Sequence, residues 1–254
     1  MAIAFGNAGT GSGSATRTIT PTYPTVSAGD YMILEVGQKY ADRTVPTPSG
    51  WTALGATTGG AGSNATPDEG NVKVWVYGKE ADGTESGTLS ITDSGGTADV
   101  MYGRMCSFTK AGGTTWDVVG GALASDNTAG TSLVWTYDTD PGVETNDWLL
   151  TMWCINSDNY THTHALTCSG LSSITTASRM NSASTSGGNV RLGLVTHVIG
   201  AGTSSGVATY TNTASSSATN SPAGASVLVR LREVSSGGTV LPIFMHNYRQ
   251  RRSA

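Results

Sequence analysis

The feature that most constrains the fold is an internal repeat, because several short segments recur in the same order further along the chain. Three anchor pairs define it: Gly70 with Gly188, Ser86-Gly87 with Ser205-Gly206, and Gly29-Asp30 with Asn146-Asp147. Their offsets of 118, 119 and 117 residues nearly agree. A near-constant offset is the signature of tandem duplication, with small length changes in loops. Two β sequences rich in Gly, Ser and Thr can resemble each other by composition alone, but the shared order favours duplication.

The composition of the chain favours β-structure. Charged residues make up only 13% of it, and the apolar stretches are rich in Val, Ile, Thr, Tyr and Trp. The valines of segment 72–76 alternate with Lys73 and Trp75, as expected for a strand with one dry face. The matching segment 190–195 keeps its apolar residues at the same positions. We therefore predict an all-β chain of two tandem antiparallel β-sandwich domains, jelly-roll or Greek-key in topology, with an extended C-terminal tail.

Loop-like segments rich in Gly, Pro, Asn and Ser separate the predicted strands and set the domain boundaries. The predicted domains are an N-terminal arm at 1–15, a first sandwich at 16–112, an inter-domain segment at 113–130, a second sandwich at 131–234 and a C-terminal tail at 235–254. Strands are predicted near 16–20, 30–38, 51–58, 71–80, 87–92 and 99–109 in the first unit, and near 131–137, 147–156, 164–168, 171–177, 189–198, 206–211 and 225–234 in the second.

The C-terminal tail differs from the rest of the chain in charge. The last 14 residues contain three arginines and no acid, whereas the other 240 contain 11 basic and 18 acidic residues. A body so poor in Lys and Arg makes nucleic-acid binding an unfavoured function. The tail is also apolar and aromatic, so it needs a surface on which to lie. We predict that it binds a partner through Phe244, Met245, His246, Tyr248, Arg249, Arg251 and Arg252.

Other sequence signals concern the compartment. The first residues lack the basic and apolar regions of a secretory signal, and no run of apolar residues is long enough to predict a membrane span. The cysteines, Cys106, Cys154 and Cys168, are odd in number and lie mostly in strand-like segments. This pattern favours small buried hydrophobic residues in a protein made in a reducing cytoplasm.

Few polar residues suggest chemistry. His162 and His164 are two residues apart and could share a strand face, but no third metal ligand is suggested nearby, which favours a surface pair. The acidic run at 138–147 lacks the spacing of a helix-loop-helix calcium site, which favours a solvated linker. No nucleophile motif or phosphate-binding loop has the required context. We therefore predict no catalytic, cofactor or metal site and no enzymatic activity.

The first unit contains a series of short motifs. They are Gly29-Asp30 before an apolar strand, Pro48 and Gly50-Trp51, then Tyr77, Lys79 and Ala81, then Thr88, Ser90 and Thr92. In this order the motifs resemble a recurring β-sandwich unit of virion proteins of tailed bacteriophages. The second unit departs from the pattern, with Leu171 in place of the tryptophan and His197 in place of the lysine. Such units occur in head decorations, tail proteins and fibres, and the resemblance supplies no catalytic residue.

The resemblance implies a bacteriophage virion structural protein. We expect a capsid decoration or head-fibre-like subunit, homo-oligomeric, assembled in the host cytoplasm and anchored by its tail to the major capsid protein or to tail proteins. The alternative is a carbohydrate-binding or receptor-binding adhesin of a phage tail or cell surface, which would use exposed aromatic residues such as Trp51 or Tyr160. A tail-tube or baseplate structural subunit is a further alternative.

Overall fold

The structure is a computed structural model, and the residues that it describes are 3–39, 43–63, 70–94, 100–128, 132–156, 161–184, 190–215 and 223–235. These residues form sixteen strands and no helix, and all the strands pair in antiparallel fashion. The prediction of an all-β chain built from antiparallel sheets is confirmed. Within the same residues, no helix is long and apolar enough to cross a membrane.

In chain order the strands are β1 (Ala4–Ala8), β2 (Ser12–Ser14), β3 (Thr18–Ile19), β4 (Tyr31–Lys39), β5 (Thr52–Ala61), β6 (Gly70–Glu80), β7 (Ile91–Thr92), β8 (Met101–Thr109), β9 (Thr114–Asp126), β10 (Ser132–Thr136), β11 (Trp148–Ile155), β12 (Thr161–Thr167), β13 (Leu171–Ser184), β14 (Val190–Gly202), β15 (Thr209–Ser215) and β16 (Gly224–Ser235).

Two large sheets have matching strand orders. The first large sheet has the order β1-β8-β4-β6-β5, and β2 also pairs with β8. The second large sheet has the order β9-β16-β11-β14-β13. By position in the sheet, β4 corresponds to β11, β6 to β14, β8 to β16 and β5 to β13. The offset of the sequence repeat gives the same pairs, except that β8 and β16 lie several residues further apart. Strands β1 and β9 take the same outer position, although β1 lies in the expected N-terminal arm and β9 in the expected inter-domain segment.

A small sheet covers the outer face of each large sheet. The first small sheet is β3-β7, and the second small sheet has the order β10-β15-β12. The first also has an isolated bridge between Thr44 and Ser94. This bridge corresponds by offset to the pairing of Thr163 with Thr213 in the second. The two small sheets therefore share a plan, although their strands differ in length.

The Gly29-Asp30 motif forms a closed turn before β4. The Asp30 carboxylate accepts a hydrogen bond from the Ser27 amide at 2.8 Å, and Gly29 has a φ of 91°. The turn is tied to the end of β6, because the Gly29 amide donates to the carbonyl of Ala81 and the Ala81 amide donates to the carbonyl of Asp30. The motif thus fixes where β4 begins.

The matching turn before β11 has the same construction. The Asp147 carboxylate accepts a hydrogen bond from the Glu144 amide at 2.8 Å, and Asn146 has a φ of 73°. Asn146 donates to the carbonyl of Ile199, and Ile199 donates to that of Asp147. A positive φ is accessible to Gly and, among other residues, most readily to Asn and Asp. This explains why glycine and asparagine occupy the equivalent position.

A second turn is also matched between the units. Gly50 and Gly170 have φ values of 79° and 83°. In each case the next amide, that of Trp51 or Leu171, donates to the carbonyl three residues earlier. Glycine at this position supplies the left-handed conformation that a tight turn into a strand requires.

The two large sheets pack face to face, and their contact forms the most extensive buried hydrophobic cluster. It contains alternate residues of the central strands, such as Ile33 and Val74 from the first sheet and Leu150 and Leu192 from the second. Each outer face packs against its small sheet and forms a further cluster. The described residues therefore make four layers, in the order small, large, large, small.

Strand β6 shows the effect of this layering on the sequence pattern. Val72, Val74 and Val76 are fully buried between the large sheets. Trp75 and Tyr77 are only 4% and 2% exposed on the opposite face, which the first small sheet covers. The expectation of a single dry face is wrong, because the strand lies between two other layers.

The two units face each other around an approximate two-fold axis. Gly55 of β5 lies against Val227 of β16 and Gly59 lies against Gly224, so these strands run in opposite directions. It follows through the antiparallel pairings that β4 and β11 run in the same direction. Strand β4 packs on β14 while β6 packs on β11, and β5 packs on β9 while β13 packs on β2. The first two contacts are therefore equivalent with the roles of the units exchanged. In the last contact, β2, which follows β1 along β8, takes the place of β9.

Candidate functional site

The residues predicted to bind a partner lie outside the described part of the chain. These are Phe244, Met245, His246, Tyr248, Arg249, Arg251 and Arg252. The proposed anchor therefore stays a prediction.

The tryptophans, all of which are described, are used in packing. Five are buried: Trp51, Trp75, Trp135, Trp148 and Trp153. The sixth, Trp116, is half-buried and donates through Nε1 to the carbonyl of Gly29 at 2.8 Å, while Lys110 Nζ lies 5.3 Å from its ring centre. Trp51, a suggested sugar-stacking residue, is only 7% exposed, and Tyr160 lies outside the described residues. The tryptophans give little surface on which a sugar could stack.

Two histidines belong to the core between the second large and small sheets. His197 is fully buried, with Nε2 at 3.2 Å from Thr151 Oγ1 and Nδ1 at 2.9 Å from Thr176 Oγ1. Burial, together with nearby His164, lowers the pKa of His197 to about 3. Burial also lowers the pKa of half-buried His164, whose ring lies 6.3 Å from that of Trp153, to about 4. Both imidazoles are thus neutral at pH 7.

The suggested His162–His164 pair is tested only in part. The side chain of His162 lies outside the described set, and His164 points into the core rather than to the surface. In the described residues, no group of three or more His, Cys, Asp or Glu side chains is placed to hold a metal ion.

The acidic run at 138–147 braces loops. The Asp140 carboxylate accepts hydrogen bonds from Ser204 Oγ at 2.6 Å and from the amides of Gly142 and Gly206. Burial raises the pKa of Asp140, but these hydrogen bonds outweigh it and lower the pKa below its usual value. The carboxylate is therefore ionised and engaged with its own loop, which differs from the expected solvated linker.

Two arginines of β16 also bind the loop before β11. Arg232 binds Asp147 through Nε at 2.8 Å and Nη2 at 2.7 Å, a bidentate arrangement. Arg230 binds Asp117 through Nη2 and donates through Nη1 to the carbonyl of Gly142 at 2.7 Å. The adjoining cavity of about 70 Å³ has room for little more than water. This cluster ties the loop before β11 to the last described strand.

A second ionic cluster lies at the end of the first unit and was not predicted. Asp93 accepts hydrogen bonds from Arg17 Nε at 2.9 Å, Arg43 Nη1 at 2.9 Å and Gln38 Nε2 at 2.6 Å. Arg43 is 1% exposed and Asp93 is 3% exposed. Burial raises the pKa of Asp93, but the three donors outweigh it and lower the pKa. No sequence motif marks this cluster, because its members come from four separate segments.

Glu35 is the most unusual polar residue of the contact between the large sheets. It lies on β4 and is fully buried, and neither carboxyl oxygen has a hydrogen-bond partner. Its neighbours include the buried thiols of Cys106 and Cys154, whose pKa values burial raises, with a further contribution from Glu35. The prediction that cysteines are small buried residues holds for these two, while Cys168 is only half-buried. The sequence signal for Glu35 was a lone acid within "YMILEVG".

Comparison with protein-family models, curated proteins and solved structures finds no significant match to the chain. In the described residues, polar side chains mainly brace loops and join strands.

Proposed function

We propose that the chain is a structural subunit of a bacteriophage virion, most plainly a capsid decoration or head-fibre-like protein. The observation that carries the proposal is the four-layer stack of antiparallel sheets, in which the central strands of both large sheets are buried on both faces. Such a stack is suited to a rigid body, because a core packed on every side deforms little. The sequence motifs of the first unit support the proposal by their resemblance to virion sandwich units.

We further propose that two β-sandwich domains arose by tandem duplication. Support comes from the matched turns around Asp30 and Asp147 and from the equal strand orders of the large sheets. In this proposal the sandwich domains join through their large sheets, and the tail that follows Ser235 is the attachment element. Its aromatic residues would bury apolar surface on a neighbour, while its arginines would orient the contact.

The first experiment asks whether the protein is part of a particle at all. Phage particles that encode the chain are purified by density gradient, and their proteins are identified by mass spectrometry with copy number. Stoichiometric presence on the head supports decoration, and presence on the tail supports a tail-tube or baseplate subunit. Absence from the particle contradicts a virion role.

The second experiment tests the anchor. Particles are assembled with the full chain or with a chain lacking residues 241–254, and occupancy is compared. A loss of occupancy with an unchanged fold of the body supports the anchor, and unchanged occupancy contradicts it. Replacement of Arg249, Arg251 and Arg252 by lysine is the matched control, because it keeps the charge but removes bidentate binding.

The adhesin alternative requires exposed aromatic residues beside polar groups. The packing of the tryptophans gives it no support. A glycan array with the purified full chain would test it directly, and specific binding of one glycan class would favour the adhesin over the decoration protein.

A further inference from the structure

Glu35 lies where an ionised carboxylate is least stable. Odd-numbered residues of β4, such as Ile33, face the second large sheet, and Glu35 shares their face. It is fully buried, and both carboxyl oxygens lack a hydrogen-bond partner. An unpaired carboxylate in such a place is strongly unfavourable, whereas the neutral acid is much less so.

The groups around Glu35 come from both large sheets. On β8, Arg104 is its partner in register, and Cys106 lies nearby. On β6 its partner in register is a valine. On β11 its neighbours are Cys154 and the backbone of Trp153. The Trp153 backbone favours the ionised form of Glu35, although it does not reach hydrogen-bonding geometry. On β14, Leu192 packs against the neighbouring Gly37.

Lys39 is buried four residues further along β4, on the same face. Arg104 lies directly opposite Glu35 on β8, but it is engaged elsewhere. Its Nε donates to the carbonyl of Gly9 at 3.1 Å, and its Nη1 donates to Ser182 Oγ on β13. No ion pair joins it to Glu35 among the described residues. Burial therefore raises the pKa of Glu35 well above its ordinary value, although Arg104 and the Trp153 backbone act in the opposite direction.

We propose that Glu35 makes the contact between the two large sheets sensitive to rising pH. The contact is closed while the carboxyl is protonated, and it opens locally to admit water when the carboxyl ionises. The proton leaves to solvent, and no covalent bond to carbon changes. This pH sensitivity does not depend on a virion role. The second unit has no equivalent acid, because Met152 occupies the matching position of β11.

The direction and size of the effect follow from proton linkage. The closed form holds the proton more tightly than the open form, so opening releases a proton. Between the ordinary pKa of an exposed Glu and the raised pKa of the closed form, the opening equilibrium constant rises about tenfold per pH unit. Above the raised pKa it becomes independent of pH.

The buried thiols report on opening. Cys106 and Cys154 are alkylated with a small neutral reagent under native conditions between pH 6 and pH 8, in a Cys168→Ser background, and modification is followed by mass spectrometry. The thiolate fraction of an exposed thiol itself rises about tenfold per pH unit below a pKa of about 8.5. Below the raised pKa of the closed form, we expect the rate with Glu35 present to rise about a hundredfold per pH unit, and the rate with Glu35→Gln to rise about tenfold.

Two further variants control this test. Glu80→Gln removes a carboxyl that is half exposed and should keep the hundredfold dependence. Glu35→Met, which copies the second unit, should behave like Glu35→Gln and serves if the glutamine variant does not fold. Equal pH dependence with and without Glu35 overturns the proposal, and so does complete protection of both thiols over the whole range.

Discussion

Replacing His197 with glutamine should remove a large part of the acid sensitivity of the second unit. The imidazole is fully buried and contacts Thr151 and Thr176 through its two nitrogens. Glutamine can keep a hydrogen bond to one threonine, but it does not titrate. The substitution therefore isolates the contribution that protonation of the buried imidazole makes to the pH dependence of the unfolding free energy.

The magnitude follows from the difference between the folded and unfolded pKa. The unfolded chain binds a proton at His197 near pH 6.5, whereas burial lowers the pKa in the folded chain to about 3. Between these values the unfolded state holds more protons, so falling pH favours unfolding by about 1.4 kcal/mol per pH unit. From pH 6 to pH 4 the fully buried imidazole should cost about 3 kcal/mol of unfolding free energy.

The assay is urea denaturation at fixed ionic strength at pH 7, 6, 5 and 4, followed by tryptophan fluorescence. The unfolding free energy of the wild-type chain should fall by about 3 kcal/mol more between pH 6 and pH 4 than that of His197→Gln. Carboxylates such as Asp140 titrate in both proteins and cancel in the comparison. Equal pH dependence in the two proteins would refute the reasoning.

His164→Gln is the graded control. This imidazole is half-buried, so water screens part of its charge and its contribution should be smaller than that of His197. A larger effect at His164 than at His197 would show that burial does not set the acid sensitivity of this core.

Three further predictions concern stability. Gly120→Ala would place a methyl group 2.3 Å from a backbone carbonyl of β5, so it should lower the melting temperature by several degrees, whereas Gly112→Ala meets no atom and should leave it nearly unchanged. Asp93→Asn should cost about 3 to 5 kcal/mol in urea unfolding, because it leaves the buried Arg43 cation uncompensated; a loss under 1 kcal/mol would contradict this. Asn146→Gly should be neutral or slightly stabilising and Asn146→Ala should cost about 1 kcal/mol, since the φ of 73° disfavours alanine; equal stability of the two variants would argue against the proposed backbone requirement.

The long central strands could be predicted from the sequence because their burial leaves a periodic signal. The segments predicted near 30–38, 71–80, 147–156 and 225–234 fall on β4, β6, β11 and β16. Each contains alternating or continuous apolar residues bounded by turn residues, which is the pattern of a strand in a packed sheet. The matched turns also made the repeat recognisable in the sequence, because a positive φ restricts the residue type more strongly than packing does.

The outer strands could not be predicted in the same way. Strands β1, β2 and β9 contain glycine and small polar residues, and much of their surface is exposed or half-buried. Their pairing is determined by β8 and β16, which are distant in sequence. Local composition at 1–15 and 113–130 therefore resembles an arm and a linker, although the described backbone there forms strands.

The buried charges escaped prediction for a related reason. Glu35 follows four apolar residues in β4, and its isolation depends on β11 and β14, which reach it only through the packing of the two large sheets. Asp93 likewise acquires its partners from segments up to 76 residues away. A single sequence shows which residue types are present, but not which of them the sheet order brings together.

Equivalent positions of the two units differ where their surroundings differ. Where the backbone sets the requirement, the residues stay similar, as with Gly29 and Asn146. Where the environment sets it, they differ: Lys79 pairs with Glu85 under the first small sheet, whereas the equivalent His197 is buried and hydrogen-bonded to threonines. The turn residues are therefore similar in the two units, while the side chains in the sheets differ according to what packs on them. Because Glu35 lies in the layer that the two units share, a change there acts on both.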